Sequence, residues 1–275
     1  MEALNFAKGH GTLNDFVLVV DPDDRRPLDA DTVRWLCDRR AGIGGDGLLR
    51  AVRANLVPEW TGDADLWFMD YRNADGSVAE MCGNGLRVFV RHLLETGLVT
   101  DPGQVPIATR AGLRTAWPQA DGSIRIDVGR VTVGDVTSRV SVDSRAYQGR
   151  QVDVGNPHAV VVLDDPTELA ELDLGRQPAF DAEVYPAGVN IEFIVPTGAH
   201  DLQMRVHERG VGETMSCGTG VVAAAAAHLA QLGRRTGEVQ VTVPGGRLQV
   251  QLTQERGYLS GPAVVVAHGS VVLPG

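Results

Sequence analysis

The chain carries one pattern twice, and that duplication limits the folds open to it. Residues 73–87 read Asn-Ala-Asp-Gly-Ser-Val-Ala-Glu-Met-Cys-Gly-Asn-Gly-Leu-Arg, and residues 208–222 read Glu-Arg-Gly-Val-Gly-Glu-Thr-Met-Ser-Cys-Gly-Thr-Gly-Val-Val. In each copy a polar residue, Asn73 or Glu208, precedes a cysteine by nine positions. Cys-Gly-[Asn/Thr]-Gly then opens an apolar run that ends in a leucine, Leu94 or Leu229. The two cysteines, Cys82 and Cys217, fall in different halves of the 275 residues. Two half-molecules, each offering one thiol at a helix start, predict one site worked by two matched bases. Such a pair can invert a stereocentre.

Composition narrows the class of protein. Length suits one large domain or two of average size, and a hydrophobic content of 43% with 22% charged residues is that of a soluble globular chain. A net charge of −10 argues against nucleic acid or an anionic membrane as main partner. No apolar run approaches the roughly 20 residues of a membrane span, and the first residues lack the basic end and apolar core of a signal peptide. Three cysteines fit a reducing compartment better than a disulfide framework. A cytoplasmic location is therefore expected. Of the basic residues only Lys8 is a lysine. Pyridoxal-dependent racemisation needs a lysine to hold its cofactor as a Schiff base, and Lys8 lies in a strand-like N-terminal segment. No cofactor is expected.

The pattern of residues places the motifs. Segments 4–8 and 16–20 read as strands around a Gly-rich turn holding His10, Gly11 and Asn14. Asp29 or Asp31 caps a helix through Val33, Leu36 and Cys37. Leu48–Val52 and Leu66–Tyr71 read as strands, the second running into the turn-forming loop Asn73–Ser77. A helix follows Cys82 and stops at Gly97. In the second half, strands are expected at 159–163, 188–195 and 202–206, then short strands over 239–252 and 263–267. The helix from Gly218 is apolar nearly all round, so it belongs at the centre of its half with sheet wrapped about it. Pro/Gly punctuation at Trp117–Gly122 marks a linker. The expected division is 1–117 plus 263–275 for the half carrying Cys82, and 118–262 for the half carrying Cys217.

Most lone cysteines are small buried hydrophobes, and Cys37, beside Trp35 and Leu36, reads that way. Cys82 and Cys217 differ. Each stands before Gly-x-Gly at a helix start, where unpaired N–H groups and the helix dipole favour an anion and lower a thiol pKa from about 8.5 toward neutrality. Metal binding lacks a motif: there is no Cys-x-x-Cys, and the histidines share no ligand spacing. Gly42-Ile-Gly-Gly-Asp-Gly47 matches a dinucleotide fingerprint in letters only, since it follows a helix and precedes a strand. His158 reads as a buried hydrogen-bonded histidine or a site residue. Asn14, Asn73, Asn156 and Asn190 are turn residues or ligands, each in a Gly-rich segment at a strand end. Glu208-Arg209 reads as a surface ion pair or as a reader of an ammonium and a carboxylate.

These residues together resemble the diaminopimelate epimerase family. Asn73-x-Asp-Gly-Ser-x-x-x-x-Cys82-Gly-Asn-Gly-x-Arg87 fits its signature without a gap, and His207-Glu-Arg-Gly-x-Gly-Glu-Thr-x-x-Cys217-Gly-Thr-Gly is similar to its second. Phe6-x-Lys-x-His-Gly-x-x-Asn14-Asp-Phe, Gly155-Asn-Pro-His and Gly188-Val-Asn190 follow in order, so the likeness covers nearly the whole chain. Proline-racemase-like relatives usually have Met-Cys-Gly-His-Gly, where this chain has Asn84.

The resemblance implies an α/β (α+β) fold of two pseudo-symmetric halves, each a mixed curled β-sheet around a central helix, and a homodimer. It implies cofactor-independent, two-base interconversion of LL- and meso-diaminopimelate, toward lysine and peptidoglycan. Cys82 and Cys217 then exchange proton-donor and acceptor roles, assisted by His158 and Glu208. Gly83, Asn84, Gly218 and Thr219 offer backbone N–H groups to the reacting carboxylate. Asn14, Asn73, Asn156, Asn190, Glu208 and Arg209 bind the polar ends of the substrate. Gly47 departs from the pattern, standing where many relatives have a binding Gln. Two other readings compete: a proline-type racemase, and a non-catalytic small-ligand binding module.

Overall fold

Each cysteine-led helix is the axis of its own unit. The computed structural model describes residues 3–26 and 28–273, and the chain divides into residues 1–126 with 261–275, and residues 127–260.

In the first unit β1 (Ala3–Gly11) turns through Thr12 and Leu13 into β2 (Asn14–Val20). Asn14 thus opens a strand and is not within the turn. Helix α1 (Ala30–Cys37) is capped by Asp29, whose carboxylate accepts from Thr32 N at 2.8 Å, which decides between the two candidate caps. Its last carbonyls are met by the glycine loop: Ile43 and Gly44 donate to Leu36, and Gly45 to Cys37. A Cβ on Gly42 would come within 1.9 Å of the Trp35 carbonyl oxygen, so only glycine fits there. The run of glycines serves a helix C-terminus and leads into β3 (Gly47–Arg53). β4 (Trp67–Asn73) precedes α2 (Gly83–Glu95), and β5 (Val105–Thr109) and β6 (Gly112–Pro118) follow it. The expected linker is a hairpin instead. Gln119 N bonds Ser123 O at 2.9 Å, and β7 (Ile124–Gly129) pairs back on β6 with Trp117 opposite Arg125. Its Pro and Gly therefore serve a tight turn, and the division between units falls several residues later.

The second unit runs β8 (Thr132–Val142), β9 (Arg145–Asp153), β10 (Pro157–Val162), α3 (Pro166–Glu171), β11 (Ala179–Phe180), β12 (Asn190–Pro196), β13 (Asp201–Glu208) and β14 (Gly212–Thr214). After α4 (Gly218–Gln231) come β15 (Gly237–Val243), β16 (Gly246–Leu252) and β17 (Gly257–Gly261). The last strand, β18 (Val264–Val272), returns to the first unit and lies antiparallel to β1.

The two sheets repeat one plan. Read from one end, β18, β1, β2, β3, β4, β5, β6 and β7 pair antiparallel, antiparallel, parallel, antiparallel, parallel, antiparallel, antiparallel. The series β8, β9, β10, β12, β13, β15, β16 and β17 follows the same sequence of directions. Each sheet bends about its helix: α2 touches β1, β2, β3, β4, β6 and β18, and α4 touches β8, β9, β10, β12, β13, β15 and β16. The mixed α+β halves expected from the resemblance are present. Every residue from Val221 to Leu229 is buried. Ala223–Ala227 combine the highest helix propensity with side chains small enough for strands to close in on all sides. Truncating Leu229, which has no exposure at all, should cost about 2–5 kcal/mol.

Candidate active site

Because the two sheets share a plan, residues of the two units can be matched by strand register. Phe16 pairs with Gly47 across β2 and β3, and His158 with Asn190 across β10 and β12. Gly47 then faces Asn73 on β4, while Ile191 faces His207 on β13 and the next rung sets Asn190 against Glu208. Asn14 therefore corresponds to Asn156, Gly47 to Asn190, Asn73 to Glu208 and Cys82 to Cys217. The same polar positions at strand ends are used twice.

In the first unit Cys82 is the N-cap of α2, its sulfur accepting from Gly85 N at 3.4 Å. Asn14 Oδ1 lies 3.7 Å from Cys82 Sγ and accepts from Asn84 Nδ2 at 3.2 Å. Asn14 is in turn fixed by its own amide, which donates to Asp46 at 2.8 Å. Asp46 shares Arg39 with Asp15, and Asp15 also pairs with Lys8 at 2.6 Å. Burial works against the Asp15 carboxylate, yet Arg39 and Lys8 hold its pKa well below the usual range. Lys8, the one lysine, is thus committed to Asp15 and to the Gly44 carbonyl. Gly83 and Asn84 supply the first amides of α2, which have no intrahelical acceptor. Asn73 uses its side chain locally, donating to Ser77 Oγ at 2.9 Å and shaping the loop before Cys82.

A side chain at Gly47 has no room. A Cβ there would stand 2.6 Å from the Arg72 carbonyl and 2.8 Å from the Tyr71 ring. The backbone is drawn in where the matching Asn190 of the second unit carries an amide.

In the second unit Cys217 is the N-cap of α4, accepting from Gly220 N at 3.4 Å, with Thr219 Oγ1 at 3.6 Å. From Thr219 a chain of contacts runs inward: Asn156 Nδ2 at 3.4 Å, Asn156 Oδ1 to His158 Nε2 at 3.0 Å, and His158 Nδ1 to Glu192 Oε1 at 2.7 Å. Glu208 accepts from Thr214 Oγ1. Desolvation raises the Glu208 carboxyl above its ordinary pKa, against the Thr214 bond and the neighbouring Cys217 thiol. Asn190 Oδ1 accepts the Arg209 amide at 2.9 Å, and Asn190 Nδ2 reaches the Pro157 carbonyl at 3.4 Å. Arg209 itself is exposed, its guanidinium on the Ala187 carbonyl at 3.1 Å. Its stem lies over Gly188, whose φ of +83° favours glycine.

One expectation is reversed. Cys217 does not have a thiol pKa drawn toward neutrality. Burial raises it well above the ordinary value, Glu208 and Glu192 raise it further, and the Thr219 and Gly220 bonds only partly oppose them. At this helix start two carboxylates and the loss of solvent outweigh the helix dipole, so Cys217 is held as the thiol.

Three residues of these clusters stood outside the sequence reading. Glu192 is wholly buried, and its signal was a lone acid inside the apolar run of β12. Asp46 hid in the glycine loop. Arg87 was legible only as a motif letter, yet its side chain is shut away from solvent beneath the start of α2.

Comparison with known proteins identifies a family and a shared fold. A family profile described as "Diaminopimelate epimerase" matches residues 6–134 and 150–273. The diaminopimelate epimerase of Thermobifida fusca is 49% identical over 276 residues, covering 98% of this chain and 98% of the relative. That of Corynebacterium glutamicum is 48% identical over 274 residues, with 97% of each chain covered. Among solved structures, a hydroxyproline epimerase from Agrobacterium vitis superposes with a TM-score of 0.71 at 16% identity, covering 98% of this chain and 92% of that one. A Bacillus anthracis phenazine biosynthesis protein of the PhzF family gives a TM-score of 0.72 at 16% identity, over 99% and 100% of the two chains. At that identity the last two show a shared fold.

Proposed function

The chain belongs to the diaminopimelate epimerase family, and from that premise we propose that it interconverts LL- and meso-diaminopimelate without a cofactor, Cys82 and Cys217 serving as the two bases. The observation that carries this reading is the matched placement of the thiols. Each is the N-cap of the buried central helix of its unit, at the same step of the same strand series.

The proton balance is simple. One sulfur enters the cycle as thiolate and takes the α-proton, leaving a carbanion whose charge spreads into the carboxylate as an enediolate. The other sulfur, a thiol, returns a proton to the opposite face and becomes the thiolate. Each turnover exchanges the two states, with no net change in the enzyme's protons. The extra charge on the enediolate needs fixed donors that require no reorganisation, and the first amides of α2 and α4, at Gly83, Asn84, Gly218 and Thr219, have that character. Asn14 and Asn84 orient Cys82. Glu208 is near enough to act on the charge of Cys217, and His158 reaches the surroundings of Cys217 through Asn156 and Thr219. Asn73, Asn156, Asn190 and Arg209 bind the polar ends of the substrate. Lys8, the one lysine of the chain, is engaged by Asp15 and the Gly44 carbonyl, which supports chemistry on sulfur over a Schiff base. Among the described residues no helix is long and apolar enough to cross a membrane. The homodimer is part of the same proposal, and light scattering of the purified chain decides it.

The test is a turnover in heavy water with LL-diaminopimelate and no added cofactor. Early product should carry solvent deuterium at the inverted carbon while recovered substrate carries little. Equal label in both at early times points to one shuttling base and defeats the two-thiol scheme. Cys82→Ala and Cys217→Ala should each abolish epimerisation, with little further loss on combining them.

A further inference from the structure

We propose that Arg87 is the buried counter-charge of the Cys82 thiolate, a positioning residue that keeps this thiol of the pair ready as base. The inference deepens the reading of Cys82 as an acid–base thiol and rests on it.

Arg87 has no exposed surface and heads the largest fully buried side chains of the described residues. It folds back along α2 so that its guanidinium lies beneath the first turn. Nη1 donates to the Gly83 carbonyl at 3.3 Å, Nη2 to Thr12 Oγ1 at 3.3 Å and Nε to the Pro262 carbonyl at 3.4 Å. A Cβ on Gly11 would stand 3.1 Å from Nη2, so the strand closes over the group. All three acceptors are neutral. An arginine stays charged in a protein, and a buried cation with no anion is expensive to maintain. Burial lowers its pKa to about 10, still far above neutrality, and the one charge that works the other way is Cys82.

The other charged groups around Cys82 have their own partners. Asp46, reached through Asn14, pairs with Arg39, and Asp15 pairs with Arg39 and Lys8. On β4, Arg72 pairs with Asp70. His10 Nδ1 faces the Leu13 amide, and Asp75 and Glu80 of the preceding loop are exposed to water. Among the described residues Arg87 is left as the uncompensated charge, and the sulfur is the group that can answer it.

The second unit sharpens the point, since it supplies the same backbone with different charge. Val222 stands where α2 has Arg87. His158 and Glu192 stand where the first unit has Phe16 and Leu49. A Cβ on Gly85 would meet Leu49 Cδ2 at 3.3 Å and Phe16 Cζ at 3.5 Å, whereas on Gly220 it would meet Glu192 Oε1 at 2.6 Å. One helix start is underlain by a cation and hydrocarbon, the other by a carboxylate and an imidazole. The duplicated pattern is broken in charge and kept in shape. Two thiols must start a cycle in opposite protonation states, and this is a device for setting them apart.

The experiment is iodoacetamide alkylation of the full-length protein across the pH range, with the rate at each cysteine read by peptide mass. Wild-type Cys82 should reach half-maximal reactivity below the ordinary thiol value of about 8.5. Arg87→Met, which keeps bulk and removes charge, should move that midpoint up by at least about one pH unit, slowing Cys82 about tenfold at neutral pH. The Cys217 profile should stay in place, and Arg87→Lys should recover most of the Cys82 shift. A wild-type Cys82 midpoint at or above the ordinary value overturns the proposal even if Arg87→Met fails to fold, as does an Arg87→Met profile unchanged from wild type. The readout is independent of epimerase assays: retention of activity by Cys82→Ala would sink the underlying reading, and the alkylation profile would still decide Arg87.

Discussion

Glu192 Oε1 lies 2.7 Å from His158 Nδ1, and neither side chain has any exposure to solvent. The other carboxylate oxygen, Oε2, has no hydrogen-bond partner. A buried anion with one strong partner projects its field well, because little water is present to screen it. That field reaches Cys217, where Glu192 is among the causes of the raised thiol pKa.

Glu192→Gln preserves volume and removes the charge, so the Cys217 pKa should fall. At a given pH below the midpoint, alkylation of Cys217 should speed up while that of Cys82 keeps its profile. Glu192→Ala leaves His158 Nδ1 without its partner beside a new cavity, Nε2 keeping Asn156, and should cost about 3–5 kcal/mol of stability in denaturant titrations. An unmoved Cys217 profile in Glu192→Gln would leave Glu208 and burial as the whole cause.

Arg209 governs recognition of the far end of the substrate in the proposed function. It stands in the loop that the first copy of the duplicated pattern fills with Ala74, and its amide is pinned by Asn190 while its guanidinium rests on a single carbonyl. Arg209→Leu should lower kcat/KM on diaminopimelate by orders of magnitude, since losing a desolvated charged contact costs roughly 2–5 kcal/mol. Remote binding energy is used in positioning as well as in affinity, so kcat should fall along with rising KM. Against lysine, which has one head only, the variant should be no worse than wild type. Near wild-type efficiency on diaminopimelate removes Arg209 from the site.

His92 predicts a pH dependence of stability. Burial, aided by the like charge of His268, lowers its pKa to about 4. The folded state therefore prefers the neutral ring. Above the unfolded value of about 6.5 both states are neutral and nothing is lost, whereas below it the unfolded chain gains protons that the fold refuses. Stability should fall between about pH 6.5 and pH 4, by about 2 kcal/mol at pH 5 from this residue. Urea titrations of wild type and His92→Gln at pH 7 and pH 5 should show a smaller decline in the variant.

The duplicated framework is legible in the order of the residues alone. Periodicity and caps are local properties, so a cap at Asp29 or Asp31 before α1, the helix stop before Gly42 and the cysteine-led helices α2 and α4 were legible from spacing alone, while the choice of Asp29 needed its bond to Thr32. The all-apolar run after Gly218 required a central helix, because no exposed face was available to it. Local reading failed where partners are distant in the chain. Trp117–Gly122 carries the residues of a linker and of a hairpin turn alike, and only the pairing of Trp117 with Arg125 decides. The protonation of Cys217 could not be read from a helix start, because Glu192 and Glu208 arrive from β12 and β13 and their buried charge exceeds the dipole. Arg87 was visible as a letter, while its isolation from every carboxylate among the described residues exists only once β1 and the segment before β18 close over it. Tertiary structure decided the electrostatics of the two thiols, since burial and long-range proximity set the energy of a charge, and neither is a property of neighbouring residues.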